Sequence, residues 1–425
     1  METVSTPRRQ FLKKALAAGV LAGALGKVSW AEAVDMMAEA VRKGKVNIVW
    51  WEAQSCTGDT TSLIQATDPD LIEVLTGAIH LAGPGTVGLA FHDTVMPEWG
   101  EGAIEILKMA EKGMYDPFVL VLEGSVPDET HARKYCKDPN RCGYYCFVGE
   151  ENGRVITCTE WIRRLAKRAV AVVAVGNCAS YGGIPANKVL EPPPGWSYPS
   201  WSLAPTGAVG FFDDPVRGYK GLISRYADMP EFEPYYNYIY RNCEPKLSPD
   251  SDCKPAVAVP GCPANGNGIL RVLVHMVLAA LYPKIVPLPK ASEWLDAYSR
   301  PKYIFGHTVH EQCPRAGFYA AGDLRQEPGD NDAKCLFAVG CKGPVANCPW
   351  NKFGWVNGVG GPTRTGGVCI GCTMPGFSDA YEPFYKPLPA PAAPSVPTAL
   401  ATTLGAAAIG AIAGYAMSKK HGSKK

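Results

Sequence analysis

Residues 46–62 read VNIVWWEAQSCTGDTTS, an apolar run from Val46 to Trp51 followed at once by a turn that carries Cys56, Gly58 and Asp59. A short Val/Ile/Trp-rich run bounded by a glycine-containing loop reads as a β-strand. A thiolate in the loop that closes such a strand is a natural ligand for a soft metal or an iron–sulfur cluster. A Cys-x-x-Cys pair would grip the metal from both ends of the turn, but the second position here is the carboxylate of Asp59.

Similar apolar runs recur downstream in TVGLAFH, PFVLVLEGSVP, AVAVVAVGNC and AVAVPGC, with amphipathic helical patterns at Gly102 to Lys112 and Glu160 to Lys167 between some of them. Continuous apolar strands separated by helices predict an α/β fold with a doubly wound parallel sheet, here over residues 45–300. Ligands of such sheets collect at the carboxyl ends of the strands. Three of the runs end in cysteine: Cys56, Cys178 in GNCASYGG and Cys262 in PGCPANGNG. If their strands are parallel neighbours, the three thiolates converge at one sheet edge. Each one alone reads as an ordinary core cysteine. Glu52, Glu123 and His92 also fall near strand ends, where solvation or core hydrogen bonding is the simpler expectation than a proton relay.

The chain has 425 residues, enough for two cores, and a formal net charge of +2. That near-neutral balance argues against a nucleic-acid partner. Glycine (45) and proline (37) are spread among apolar stretches, which indicates a loop-rich globular protein rather than disorder. No phosphate-cradling glycine loop follows the first strand, so no nucleotide is expected. No Ser/His/Asp or paired-carboxylate arrangement stands out, and no catalytic residue is assigned.

Both ends read as targeting segments. Residues 1–33 carry Arg8 and Arg9, then Phe11, Leu12 and Lys13, a weakly apolar run and an Ala31-Glu32-Ala33 cleavage pattern. That order is the pattern of a twin-arginine export signal, which moves proteins across the membrane already folded. A proline-rich linker at 386–397 leads to an uncharged run at 398–417, long enough to span a bilayer, with Lys419, Lys420, Lys424 and Lys425 beyond it. The lysines favour a cytoplasmic C-terminus and place the body on the extracytoplasmic side of the cell membrane.

From residue 301 to 385 helical and strand periodicity fades and cysteine spacing takes over. Of fifteen cysteines in the chain, six fall between Cys313 and Cys372. HEQCPR and CLFAVGC supply His310, Cys313, Cys335 and Cys341, a four-ligand set suited to zinc or to an iron–sulfur cluster. NCPWNKFGW and GGVCIGCTMPGF supply Cys348, Cys369 and Cys372, with Pro362 where a fourth ligand would fit. Zinc suits the first set; a three-iron cluster accepts the second, so iron–sulfur chemistry explains both. The reading from another class is a non-catalytic, membrane-anchored zinc-binding or other metal-binding module.

Together, CTGDTTS after a strand, GNCASYGG, PGCP, HEQCPR, the cysteines six apart, NCPWNKFGW and CIGC with its upstream proline resemble the small, electron-transferring subunit of membrane-bound nickel–iron uptake hydrogenases, over about Val46 to Glu382. The resemblance implies a flavodoxin-like domain and an irregular C-terminal domain that binds iron–sulfur clusters. It implies a proximal 4Fe-4S cluster on Cys56, Asp59, Cys178 and Cys262, and a distal 4Fe-4S cluster on His310, Cys313, Cys335 and Cys341. A medial 3Fe-4S cluster would sit on Cys348, Cys369 and Cys372. It further implies that the Ni-Fe centre lies on a partner large subunit of the heterodimer, and that electrons from H₂ pass to a membrane cytochrome b or similar acceptor. Gly58 and Gly183 stand where oxygen-tolerant members carry extra cysteines. Asp59 departs from the commoner cysteine, as in a branch of actinobacterial-type hydrogenases. A quinone-oxidoreductase subunit of related fold would lack the two-cluster C-terminal domain. Cys136, Cys142, Cys146, Cys158, Cys243 and Cys253 remain, free or in disulfides; Cys243 with Cys253 would close a short loop.

Overall fold

The computed structural model describes residues 46–76, 87–134, 144–188, 202, 204–329 and 332–388. The export signal at 1–33, the span at 398–417, Cys136 and Cys142 lie outside the described residues. Among the described residues no helix is long and apolar enough to cross a membrane.

Five strands form one parallel sheet: β1 (Val46–Glu52), β2 (Val87–His92), β3 (Phe118–Glu123), β6 (Ala171–Val175) and β7 (Ala256–Val259), in the order β2-β1-β3-β6-β7. Counting only these five, the order is the flavodoxin-like one, with the topological switch where β1 meets β3. All five apolar runs read from the sequence are strands. Their residues alternate between two cores, which is why the runs are apolar without interruption. Val46, Ile48 and Trp50 face one core with Val119, Val121, Val173, Val175 and Val257. Val49 and Trp51 face the other with Leu120, Leu122, Val172 and Ala174.

The second core is roofed by helices α2 (Glu101–Glu111) and α3 (Cys158–Arg168), close to the two helical patterns expected. The Thr157 hydroxyl caps α3 by accepting from the Glu160 amide at 3.2 Å. An antiparallel hairpin of β4 (Phe147–Glu151) and β5 (Arg154–Thr157) precedes α3, turning through Asn152 and Gly153, both at positive φ. The Cys146–Cys158 disulfide ties the start of this hairpin to α3, and a second disulfide joins Cys243 to Cys253.

The first core is covered by helix α4 (Gly266–Leu281) and by the irregular C-terminal stretch. Leu336, Val339, Trp350, Val368 and Phe377 share this core with β1 and α4. Among the described residues the buried apolar side chains of the C-terminal segment join this core rather than one of their own, so the segment is packed onto the sheet domain, which fixes its cysteines relative to the strand ends.

Candidate metal centre

The carboxyl ends of four strands are level. Glu52 pairs with Glu123, Glu123 with Val175, and Val175 with Val259. From this line the chain leaves β1 towards Cys56, β6 towards Cys178 and β7 towards Cys262. The three cysteines do emerge at one sheet edge, but β1 and β6 are not neighbours: β3 lies between them and contributes Glu123 instead of a thiol.

Glu123 is fully buried and organises the edge. Its Oε2 accepts from Trp50 Nε1 at 2.9 Å and Thr60 Oγ1 at 2.6 Å, and its Oε1 from Ser55 Oγ at 2.8 Å and the Asp59 amide at 3.2 Å. His92 stacks on Trp50 with ring centroids 5.1 Å apart, and burial drops its pKa to about 4. Core hydrogen bonding thus accounts for Glu123 and His92. The first turn of α1 (Gly58–Ile64) carries Asp59, whose Oδ1 accepts from the Ala264 amide at 2.6 Å. Burial, then the nearby Glu123, lifts the Asp59 carboxyl to about 8.

The four residues expected at this edge lie within one electrostatic neighbourhood. Burial first, then Cys262, Asp59 and Cys56, pushes the Cys178 thiol up to about 12. Cys262 is also pushed up to about 12, by burial first, then Cys372, Asp59 and Cys56. Apposed anionic ligands in a low dielectric raise one another's pKa, and a bound cation removes that penalty. Small residues leave room beside them. A Cβ on Gly183 would stand 2.5 Å from Cys178 Sγ, and one on Gly176 would collide with the Asp59 carboxylate.

In the C-terminal stretch one cavity is lined by His310, Cys313, Cys335 and Cys341 together, with Arg315, Phe337, Gly343 and Thr363 among its other walls. All four donors expected there from the sequence meet around one space. Tyr319 packs edge-on against the His310 ring, with centroids 4.7 Å apart. The Gly343 amide donates to Cys341 Sγ and the Arg315 amide to Cys313 Sγ, both at 3.4 Å.

Cys348, Cys369 and Cys372 lie between these two regions. Burial and then Cys372 push Cys348 up to about 12, while burial, then Cys341 and Cys372, holds Cys369 well above its ordinary value. The Lys342 amide, next to Cys341, donates to the Cys369 carbonyl at 2.7 Å. Asn177 Nδ2, next to Cys178, donates to the Cys372 carbonyl at 2.9 Å and the Met374 carbonyl at 2.8 Å. The buried Arg300 guanidinium reaches the Thr373 carbonyl at 3.0 Å and Asn347 Oδ1 at 3.1 Å, beside Cys372 and Cys348. Pro362, at the expected fourth position, opens the turn at Thr363–Thr365.

Among the described residues no three His, Cys, Asp or Glu donors converge as ligands of one metal ion. In an iron–sulfur cluster the ligands attach to separate irons and stand apart around a polynuclear core. The donor chemistry, the cavity and the glycine-lined edge fit such a group. Sequence reasoning placed Glu123 near a strand end without giving it this organising role, and it did not identify Asn177, Arg300 or Thr363 around these sites. The only signal was a glutamate closing an otherwise apolar strand.

Three groups of thiol donors, at the edge of a parallel α/β sheet and in the C-terminal stretch packed on it, suit an iron–sulfur electron-transfer protein. Residues 305–385 match the family of C-terminal regions of NiFe/NiFeSe hydrogenase small subunits, and residues 56–276 match the NADH ubiquinone oxidoreductase, 20 Kd subunit family. The F420 non-reducing hydrogenase II small subunit of Methanosarcina mazei is 31% identical over 401 residues, covering 91% of this chain and 85% of that one. The periplasmic [NiFeSe] hydrogenase small subunit of Desulfomicrobium baculatum is 31% identical over 391 residues, covering 90% and 99%. Among solved structures, an actinobacterial-type NiFe-hydrogenase from Ralstonia eutropha H16 aligns with a TM-score of 0.62 and 31% identity, covering 87% of this chain and 91% of that one. The chain belongs to the small subunits of nickel–iron hydrogenases.

Proposed function

We propose that this chain receives electrons from H₂ oxidation at a Ni-Fe centre on its large subunit and delivers them to a membrane acceptor such as a cytochrome b. Cys56, Asp59, Cys178 and Cys262 hold a proximal 4Fe-4S cluster. Cys348, Cys369 and Cys372 hold a medial 3Fe-4S cluster, and His310, Cys313, Cys335 and Cys341 a distal 4Fe-4S cluster. When bound, these clusters supply one-electron redox chemistry. The protein's part is to place them in series and to set the charge and hydrogen bonding around each.

The observation that carries this order is a pair of hydrogen bonds between neighbours of the three sets. Asn177 Nδ2, beside Cys178 of the proximal set, donates to the Cys372 carbonyl of the medial set at 2.9 Å, and the Lys342 amide, beside Cys341 of the distal set, donates to the Cys369 carbonyl of the medial set at 2.7 Å. Arg300, itself paired with Asp296 at 2.7 Å, holds the backbone beside the medial thiolates in place through the Thr373 carbonyl and Asn347 Oδ1. Asp59 supplies an oxygen ligand where a thiolate is commoner, and Ala264 holds it in place.

Folding before export through the twin-arginine route would let the clusters be inserted first. The segment at 398–417 then anchors the body on the extracytoplasmic side of the cell membrane. The sheet domain (45–300) carries the proximal site and residues 301–385 the other two, ahead of the linker at 386–397.

The test uses the heterodimer purified with its large subunit and reduced with H₂. The parent is expected to show sequential reduction of three sites by EPR. A His310→Ala variant is expected to keep H₂-dependent reduction of the proximal and medial sites while losing delivery to a membrane quinone pool. Unimpaired delivery in that variant would contradict the assignment of His310 to the exit site.

A further inference from the structure

Between the medial and distal sets lies a polar pair with no evident role in ligation, Asn351 and Thr363. Asn351 is fully buried and Thr363 is 2% exposed. Thr363 is held on three sides. Its amide donates to Asn351 Oδ1 at 3.0 Å, its carbonyl accepts from Arg315 Nε at 2.6 Å, and Oγ1 stands 2.9 Å from Asn351 Oδ1 and 3.0 Å from Cys313 Sγ. The Thr363 hydroxyl has one hydrogen and two candidate acceptors. A metal-bound Cys313 is a thiolate and only accepts, so the Sγ–Oγ1 contact then requires Thr363 to donate. Asn351 Oδ1 stays satisfied by the Thr363 amide when the hydroxyl turns away.

Asn351 stands three residues beyond Cys348, in the short helix Trp350–Phe353. A chain of contacts therefore runs Asn351, Thr363, Cys313. Asn351 Nδ2 is buried without a protein partner. An amide donor left over beside thiolate ligands is explained by a sulfur acceptor that the cluster itself would supply.

We infer that Thr363 is a positioning residue of the electron path, its hydroxyl donating to the Cys313 thiolate and thereby raising the reduction potential of the distal site relative to the medial one. This rests on the medial and distal assignments above. In the step concerned one electron leaves the medial site and enters the distal one. No covalent bond forms or breaks and no proton leaves the protein; the hydroxyl donates to Cys313 Sγ in both oxidation states, and that bond strengthens as negative charge builds on the distal site. A hydrogen bond to a ligand sulfur favours the more negative, reduced state.

The experiment is an EPR-monitored redox titration of the heterodimer carrying Thr363→Val or Thr363→Ser. Valine keeps the shape and loses the hydroxyl. It is expected to retain iron, to leave the medial potential unchanged, and to weaken one-electron reduction of the distal site by about threefold to tenfold, the latter being about 59 mV. Serine is expected to restore the parent potential. If valine does not retain iron, Thr363→Ala is titrated in its place. Independently, the reduced distal site of the parent is expected to couple to an exchangeable proton that the valine or alanine variant lacks and the serine variant keeps. An unchanged distal potential in the hydroxyl-free variant, a serine variant as low as valine, or no loss of exchangeable coupling would overturn the proposal. A parent protein with no 4Fe-4S signal sensitive to Cys313→Ser would instead overturn the distal assignment itself.

Discussion

Asp59 accepts a 2.6 Å hydrogen bond at Oδ1 from the backbone N–H of Ala264, two residues past Cys262. The contact joins the first turn of α1 to the loop after β7, so the residue that breaks the Cys-x-x-Cys pattern is tied to the loop that carries Cys262. Burial and Glu123 raise this carboxyl to about 8, while the Ala264 amide works in the opposite direction. A ferric or ferrous ion at the site would outweigh those costs and hold the carboxylate ionised.

If Asp59 ligates iron, its replacement changes the proximal site's spectroscopy and not merely its stability. Asp59→Ala is expected to alter the proximal EPR and Mössbauer signals, and Asp59→Cys to give an all-thiolate site of different potential. Parent-like signals in Asp59→Ala would show that Asp59 is no ligand.

Gly176 has φ +80°, and a Cβ there would collide with the Asp59 carboxylate. Gly176→Ala is therefore expected to lose proximal iron selectively and to lower stability by about 1–3 kcal/mol. Iron analysis and thermal unfolding check it. Unchanged iron would mean that the carboxylate moves aside freely.

His275 lies in α4, 6% exposed and edge-on to Trp294, and burial lowers its pKa to about 4 from 6.5. The folded state holds this proton more weakly than the unfolded state. Its contribution is complete above pH 6.5 and declines as pH falls towards 4, by roughly 3 kcal/mol in total. His275→Gln is expected to flatten the loss of stability over that window, measured by denaturant unfolding at several pH values. An identical pH profile in the variant would contradict the assignment.

The Cys243–Cys253 disulfide closes a loop with a sequence separation of 10. Replacing both cysteines with serine is expected to cost about 2–3 kcal/mol. The same loss should follow mild reduction of the parent, while cluster content stays unchanged. No effect on thermal unfolding would mean that the loop is already ordered without the bond.

The sheet was legible because its strands are buried on both faces and leave uninterrupted Val/Ile/Leu runs. The cysteines were legible because thiolate spacing is local. The Asn152–Gly153 turn carries a hairpin signal that the surrounding cysteine pattern obscures. What stayed hidden depends on long-range contact. Glu123 reaches residues about sixty to seventy positions away in the chain, and Asn177 meets Cys372 across 195 positions. The sharing of one core between Val46 and Phe377 is likewise a property of packing, invisible to periodicity. Thr363 beside Cys313 is legible only once fifty residues of irregular chain have been folded back.

Eleven side chains are proposed to hold three iron–sulfur clusters in series. Metal analysis of the purified heterodimer, with iron counted on this subunit and typed by Mössbauer spectroscopy, tests it most directly. About eleven irons per chain are expected, in two four-iron and one three-iron environments, one of the former with an oxygen ligand. Zinc in place of iron, or iron far below that number in fully active enzyme, would contradict it.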